Sequence, residues 1–149
     1  MAKLTGTATG EIDAPIDTVW ATVSDVGAWP AWQKHLGEID VTATDGAGLP
    51  STAEMATDAK VKTLRSTVRF DAQAPTRLAW RQEKGDVPSL KGSWTLRDLG
   101  DGRTEVTYAL DIDPGFTFGM LLRGDVEAKV RNSLVTRRPD ELRARVTGG

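Results

Sequence analysis

The sequence has no cysteine, and His35 is its single histidine. The lack of cysteine excludes disulfides, thiolate metal sites, iron–sulfur clusters and cysteine nucleophiles. One histidine excludes a three-histidine zinc site, and a Ser-His-Asp triad would have to use His35. We therefore expect neither a metal nor a cofactor, and most hydrolase chemistry is excluded.

Long apolar runs and a strong charge of one sign are also lacking. No stretch approaches the ~18–20 apolar residues of a membrane span, and no long apolar run follows the first lysine. These features predict a cytoplasmic protein. The formal net charge of −2 gives no general attraction to nucleic acid, so we expect no nucleic-acid partner.

Length and composition predict a folded chain with one core. The 149 residues fit one domain spanning 1–149. The hydrophobic share of 39% becomes about 49% once the 15 glycines are added, which is typical of globular chains.

Period-two alternation dominates the middle of the chain. In three segments the apolar face is formed by Leu78 and Trp80, by Leu90 and Trp94, and by residues 106–112 at every second position. The opposite positions are mostly charged, as in an antiparallel sheet with one face in water. With further strands at 3–12, 36–44, 51–58 and 60–70, we predict about seven strands. The turns between strands are predicted at 45–50, 72–75, 85–88 and 100–102.

Two regions have helical spacing instead. Asp13 and Pro15 predict a helix start, and the apolar residues that follow at helical spacing predict a short helix ending near Gly27. The two tryptophans of segment 28–32 predict a compact turn or a second short helix. Residues 117–147 predict one long helix, with the apolar stripe Leu122, Val126, Val130 and Leu134.

Proline and charge pairs refine the prediction for this long helix. Pro139 predicts a kink or break, because proline disfavours helical geometry at the preceding residue and removes one backbone donor. Acid-before-base pairs at i,i+4 predict that the basic residues, Arg138 among them, lie on a solvated helix face, with docking to an anionic membrane as an alternative. The predicted pairs are Asp125/Lys129, Glu127/Arg131 and Glu141/Arg145.

The run Ile12-Asp13-Ala14-Pro15-Ile16-Asp17-Thr18-Val19-Trp20-Ala21-Thr22-Val23-Ser24-Asp25, followed by Trp29-Pro30-Ala31-Trp32, resembles the opening of START-like helix-grip proteins. The likeness is to the polyketide cyclase/dehydrase and lipid-transport group of the SRPBCC superfamily. The resemblance implies an α+β helix-grip fold. In it, a curved seven-stranded antiparallel sheet wraps around a long C-terminal helix, with two short helices after strand 1 and a cavity for a hydrophobic molecule.

A helix laid across a bent sheet can leave a concavity that its side chains do not fill. We predict that apolar side chains from the strands, from the helix and from the residues just before it line this space; the alternative is that they only fill a core. The predicted ligand-binding residues are Leu64, Val68, Trp80, Trp94, Tyr108, Leu110, Phe116, Phe118, Met120, Leu122 and Val126.

Few residues are candidates for chemistry. Tyr108, the single tyrosine, could donate a hydrogen bond to a ligand or act as a weak acid, although a structural bond is the simpler interpretation. His35 has no recognisable catalytic partner. Glu54 and Arg65 would each need a polar partner if they pointed inward, but we expect both to be solvated.

These observations favour a protein that binds or transports a hydrophobic small molecule, lipid or polyketide-like, without altering it. One alternative is a polyketide cyclase or dehydratase that acts by positioning its substrate, with help from Tyr108. Another is a protein-interaction module with a vestigial cavity. The sequence leaves the ligand and the oligomeric state open.

Overall fold

The computed structural model describes residues 4–148, so residue 3 of the predicted first strand lies outside the described part. Seven strands form one antiparallel sheet in the order β1-β7-β6-β5-β4-β3-β2. The predicted curved seven-stranded sheet is confirmed. The strands are β1 Leu4–Ile12, β2 Leu36–Thr44, β3 Pro50–Asp58, β4 Thr63–Gln73, β5 Arg77–Gly85, β6 Ser89–Gly100 and β7 Arg103–Asp113.

Alternation along each central strand decides which face is covered. In β7 the side chains of Val106, Tyr108, Leu110 and Ile112 are buried, while the residues between them are half-buried on the other face. Because successive side chains point to opposite faces, one face of the sheet becomes apolar and packs against the helices. The core therefore lies between this face and the helical segments.

Helix α1 (Ile16–Ser24) and a 3-10 turn (Val26–Ala31) follow the first strand, as predicted. The expected cap differs, because Pro15 occupies the N-cap position and no side chain caps the helix, so Asp13 does not have this role. Val19 and Val23 are fully buried on the inner side of α1. The indole N–H of Trp29 donates to the Val23 carbonyl at 2.9 Å and fixes the 3-10 turn against α1.

The helix predicted over 117–147 is divided in the structure. Helix α2 (Gly115–Leu121) has Leu122 as its C-cap, and helix α3 (Val126–Arg131) begins four residues after this cap. Gly124, between them, has a φ of +60°, a left-handed conformation that ends a helix and favours glycine. At this point the sequence forms two separate helices, α2 and α3, where its apolar spacing predicted a continuous one.

Helix α3 runs into a π-helical segment (Asn132–Thr136), after which helix α4 (Arg138–Thr147) begins. Pro139 lies in the first turn of α4, where a backbone N–H would have no intrahelical partner. The break expected at this proline is thus a change from wide π-helical to α-helical geometry. Taken together, α3, the π-helical segment and α4 form the C-terminal helix of the fold.

The outer edge of β1 is covered by this C-terminal helix. The Nε–H groups of Arg131 and Arg143 each donate at 2.9 Å to β1 carbonyls, those of Thr5 and Glu11 respectively. The opposite edge strand, β2, is exposed along much of its length and pairs with β3 through several register shifts.

Among residues 4–148, no helix is both long enough and apolar enough to cross a membrane.

Candidate functional site

A chain of aromatic rings crosses the interior between sheet and helices. Trp29 packs edge-on against Trp80 with ring centroids 5.2 Å apart, and Trp80 lies 5.9 Å from Tyr108. Tyr108 in turn lies 4.7 Å from Trp94, which contacts Trp32 at 6.1 Å. Tilted and edge-on arrangements at these distances are the favourable ones for aromatic pairs. The rings therefore form one continuous packed unit around the site.

Next to these rings is an internal cavity of about 30 Å³ between the sheet and the C-terminal helix. Its wall is mainly apolar, with four polar side chains, and a space of this size holds about one water molecule. The wall consists of Trp29, Gln33, Leu36, Met55, Thr57, Trp80, Leu90, Tyr108, Leu110, Ile112, Leu134 and Arg138.

The residues predicted to bind a ligand occupy three kinds of position. Trp80, Tyr108 and Leu110 line the cavity. Others are buried in the same core without lining the cavity: Leu64, Val68, Trp94 and Phe118. The remaining four lie on or near the divided helix, where Leu122 and Val126 are half-buried against the core, and Phe116 and Met120 are exposed.

For Arg138, the position predicted from the sequence is wrong. Its side chain is buried, only 2% of the residue being exposed, whereas the charge pattern predicted a solvated face. A signal was present: Val126, Val130 and Leu134 recur every four residues, and Arg138 occupies the next position of that series. A helical series continues on the same face, so an arginine at that position points to the core.

Glu141 explains how the charge of Arg138 is tolerated inside the protein. The guanidinium Nη1 donates to Glu141 Oε1 at 2.7 Å, so Glu141 pairs with Arg138 and not with Arg145 as predicted. Glu141 Oε2 accepts the backbone N–H of Lys34 at 2.8 Å. A buried charge needs both a counter-ion and hydrogen bonds, and Glu141 is the counter-ion of Arg138 and accepts one of its hydrogen bonds. Through its bond to Lys34, Glu141 also fixes α4 to the segment after the 3-10 turn.

Two polar groups in the cavity wall have no hydrogen-bond partner within residues 4–148. They are the Nε–H of Arg138 and the side-chain Nε2 of Gln33, which is 3% exposed. Buried donors without partners are costly, and nearly all such groups in folded proteins are satisfied by protein, water or ligand. Gln33 had no periodic signal in the sequence, because it lies outside any helix or strand.

Tyr108 lies beside the guanidinium group of Arg138. The guanidinium carbon of Arg138 is 5.9 Å from the centroid of the phenol ring. Burial raises the pKa of Tyr108 above its ordinary value of 10.0, and the nearby Arg138 opposes this only in part. At neutral pH the phenol therefore keeps its proton, and its chemistry in the site is hydrogen bonding.

Comparison with known proteins places the chain in a family. The model of the family described as polyketide cyclase/dehydrase and lipid transport matches residues 12–137. The chain belongs to this family. A START superfamily protein from Mycobacterium smegmatis has a TM-score of 0.78 at 18% identity, covering 97% of each chain.

Two further solved structures share the fold of this polyketide cyclase/dehydrase and lipid-transport family member. A protein from Thermus thermophilus has a TM-score of 0.82 at 23% identity over 97% of each chain. An aromatase/cyclase from Streptomyces sp. R1128 has a TM-score of 0.66 at 22% identity, covering 99% of this chain and 84% of that one. An uncharacterized protein of Pseudomonas aeruginosa is 38% identical over 60 residues, which is 39% of this chain but only 26% of that protein.

The other candidate residues of this family member do not line the cavity. Glu54 and Arg65 are exposed, as expected. His35 is half-buried, and its Nδ1 lies 4.0 Å from Asp58 Oδ2. Within the described residues, no group of three or more histidine, aspartate and glutamate side chains is placed to hold a metal ion.

A second hollow, of about 860 Å³, lies on the opposite face of the sheet. Small side chains form its floor, including the cross-strand neighbours Ala79, Ser93 and Ala109, and charged side chains such as Arg77 and Arg81 form its sides. This hollow of the family member is open to solvent, whereas the internal cavity is enclosed by mainly apolar side chains.

Proposed function

We propose that this protein binds a hydrophobic small molecule in the cavity between the sheet and the C-terminal helix. The supporting observation is the enclosed cavity itself, whose wall is apolar except for four polar side chains. Apolar walls with a few placed polar groups are the usual composition of small-molecule sites. The family's description, which includes lipid transport, agrees with this function.

Binding requires the cavity to enlarge, because about 30 Å³ is far smaller than any lipid. The divided C-terminal region offers a route for this change. The connection at 122–125 and the π-helical segment interrupt regular α-helical hydrogen bonding on both sides of α3, and such interruptions are common where helices bend or serve a function. A movement of α3 away from the sheet would add volume next to Leu134 without unfolding the strands.

Protein purified from cells and analysed by native mass spectrometry and by solvent extraction tests this function. We expect an apolar small molecule bound in a one-to-one complex. The variant Leu134→Trp fills the cavity and should lose that molecule, whereas Val61→Trp, at an exposed position, should keep it. A parent protein that carries no ligand and gains no thermal stability from added apolar compounds would contradict the proposal.

A second candidate function is cyclisation or dehydration of a polyketide-like substrate, which the family's description also includes. The position of Tyr108 in the cavity wall favours it, since a buried neutral phenol can hold a substrate carbonyl by a hydrogen bond. Comparing Tyr108→Phe with the parent on poly-β-keto substrates tests this function. Equal turnover at the background rate in both proteins would eliminate it.

A further inference from the structure

The polar part of the cavity wall carries information about the ligand. Arg138 and Gln33 both line the cavity, both are at least nine-tenths buried, and each has an N–H group without a partner among the described residues. A guanidinium has donors only and can never accept a hydrogen bond. The unsatisfied requirement in this wall is therefore for an acceptor atom.

The charge of the wall limits which acceptor fits. Glu141 pairs with Arg138, and the side chains of both are largely buried. Because their charges are opposite, the pair has no net charge. A ligand carboxylate would place an additional, uncompensated negative charge next to the largely buried Glu141, which is costly. An uncharged oxygen has no such penalty and can accept from Arg138.

Gln33 tolerates more than one kind of oxygen. Its amide can present either the NH₂ group or the carbonyl to the cavity by turning about its last bond. It can therefore donate to a carbonyl oxygen or accept from a hydroxyl group. Arg138 is held by Glu141, so it sets the requirement for an acceptor, and Gln33 adapts to the rest of the group.

From this geometry we infer that Arg138 and Gln33 together bind an uncharged oxygen of the ligand, so that the cargo is an apolar molecule with a ketone, ester or hydroxyl oxygen. Hydrocarbons and free carboxylic acids are disfavoured. This inference rests on the proposed binding function and specifies the chemical class of ligand for the same site.

Three compounds of similar size test the inference: acetophenone, ethylbenzene and benzoate. They share a phenyl ring and differ in having a ketone, no oxygen or a carboxylate. Dissociation constants from titration calorimetry give the ratio of the ethylbenzene constant to the acetophenone constant. This ratio is compared among variants, because ethylbenzene leaves water more readily whatever the protein does.

We expect the ratio to fall at least tenfold when the donors are removed. One variant is Gln33→Leu, which keeps the approximate volume and removes the amide. The other is the double variant Arg138→Met with Glu141→Gln, which removes the ion pair without leaving a buried charge. The control is Ser66→Ala, which removes a buried hydroxyl that also lacks a partner among the described residues but does not line the cavity, and it should keep the parent ratio.

Each outcome has a distinct meaning. A constant ratio in all four proteins, or benzoate binding more tightly than acetophenone, would overturn the inference and leave the binding function standing. A constant ratio would mean that a water molecule satisfies both donors, and tighter binding of benzoate would mean that the site accepts a charged oxygen. Failure of all three compounds to bind would contradict the binding function and the inference with it. If the double variant does not fold, Gln33→Leu alone decides, since its amide nitrogen makes no bond within residues 4–148 whose loss would unfold the chain.

Discussion

The indole of Trp80 lies directly against the backbone of Gly92, its partner across β5 and β6. A Cβ atom built on Gly92 would be 2.6 Å from the indole Cε2, much closer than any real contact. The position therefore requires the absence of a side chain. The indole then occupies the space above the strand and reaches Trp29 and Tyr108 on either side.

Replacing Gly92 by alanine should displace this indole and destabilise the protein by about 1–3 kcal/mol, the usual cost of overpacking a core. Urea unfolding monitored by circular dichroism measures the loss. Gly46→Ala is the matched control, because nothing lies within 4 Å of its added methyl group, and it should change stability by no more than about 0.5 kcal/mol. Equal effects of the two substitutions would contradict the packing described for Trp80.

The ion pair of Arg138 and Glu141 gives a prediction about stability. The single substitution Arg138→Met leaves a largely buried carboxylate without its counter-ion and should cost about 3–5 kcal/mol. Adding Glu141→Gln should recover most of that loss, because no unpaired charge remains. Denaturant unfolding of the parent, both single variants and the double variant measures the coupling, and additive effects would show that the two side chains do not interact.

Two phenylalanines of α2 should behave differently when shortened to alanine. Phe118 is 3% exposed and belongs to the core, so Phe118→Ala should destabilise the protein by about 3–5 kcal/mol. Phe116 is 73% exposed, and Phe116→Ala should change stability by no more than about 0.5 kcal/mol. Thermal unfolding of both variants measures the difference, and a large loss for Phe116→Ala would refute the orientation of α2.

Tyr108 should make stability depend on pH in the alkaline range. Its pKa is raised in the folded state, chiefly by burial, so the unfolded chain releases this proton at lower pH than the folded one. The stability that Tyr108 provides relative to Tyr108→Phe should be constant below about pH 10 and should fall as the pH rises further.

Absorbance at 295 nm measures the ionisation of Tyr108 directly, because the chain has a single tyrosine. Tyrosinate should appear only together with unfolding, as judged by circular dichroism of the same sample. Ionisation near pH 10 in a protein that remains folded would show that the phenol is accessible to solvent.

The sheet could be predicted from the sequence because each strand carries its own signal. The alternation of Val106, Tyr108, Leu110 and Ile112 determines which face of β7 is buried, whatever the other strands do. The start of α1 is similarly local, since proline fits readily before or in the first turn of a helix but disrupts a helix interior.

The division of the C-terminal region could not be read from apolar spacing. Leu122 and Val126 are four residues apart whether or not the helix between them is continuous, so their pattern is the same in both cases. Gly124 was the available sign, but glycine also occurs within helices. The burial of Arg138 is hard to predict because its charge favours a solvated position, whereas its place in the series of Val130 and Leu134 favours a buried one.

The size of the cavity was beyond any pattern in the sequence. The expected lining included Trp80 and Tyr108, and both line the space that is present. How much space remains depends on how the rings of Trp29 and Trp80 tilt against each other, which is a property of three-dimensional packing.

The two borders of the sheet are protected in different ways. Along β1 the guanidinium groups of Arg131 and Arg143 occupy backbone carbonyls that a foreign strand would need. Along β2 the irregular pairing bends the strand, and its exposed Glu38 and Asp40 would repel a second copy of the same border. Both features oppose the addition of further strands. A movement of α3 that admits cargo would carry Arg131 with it, but Arg143 on α4 and the charges on β2 would remain, so neither border should become a starting point for amyloid-like aggregation.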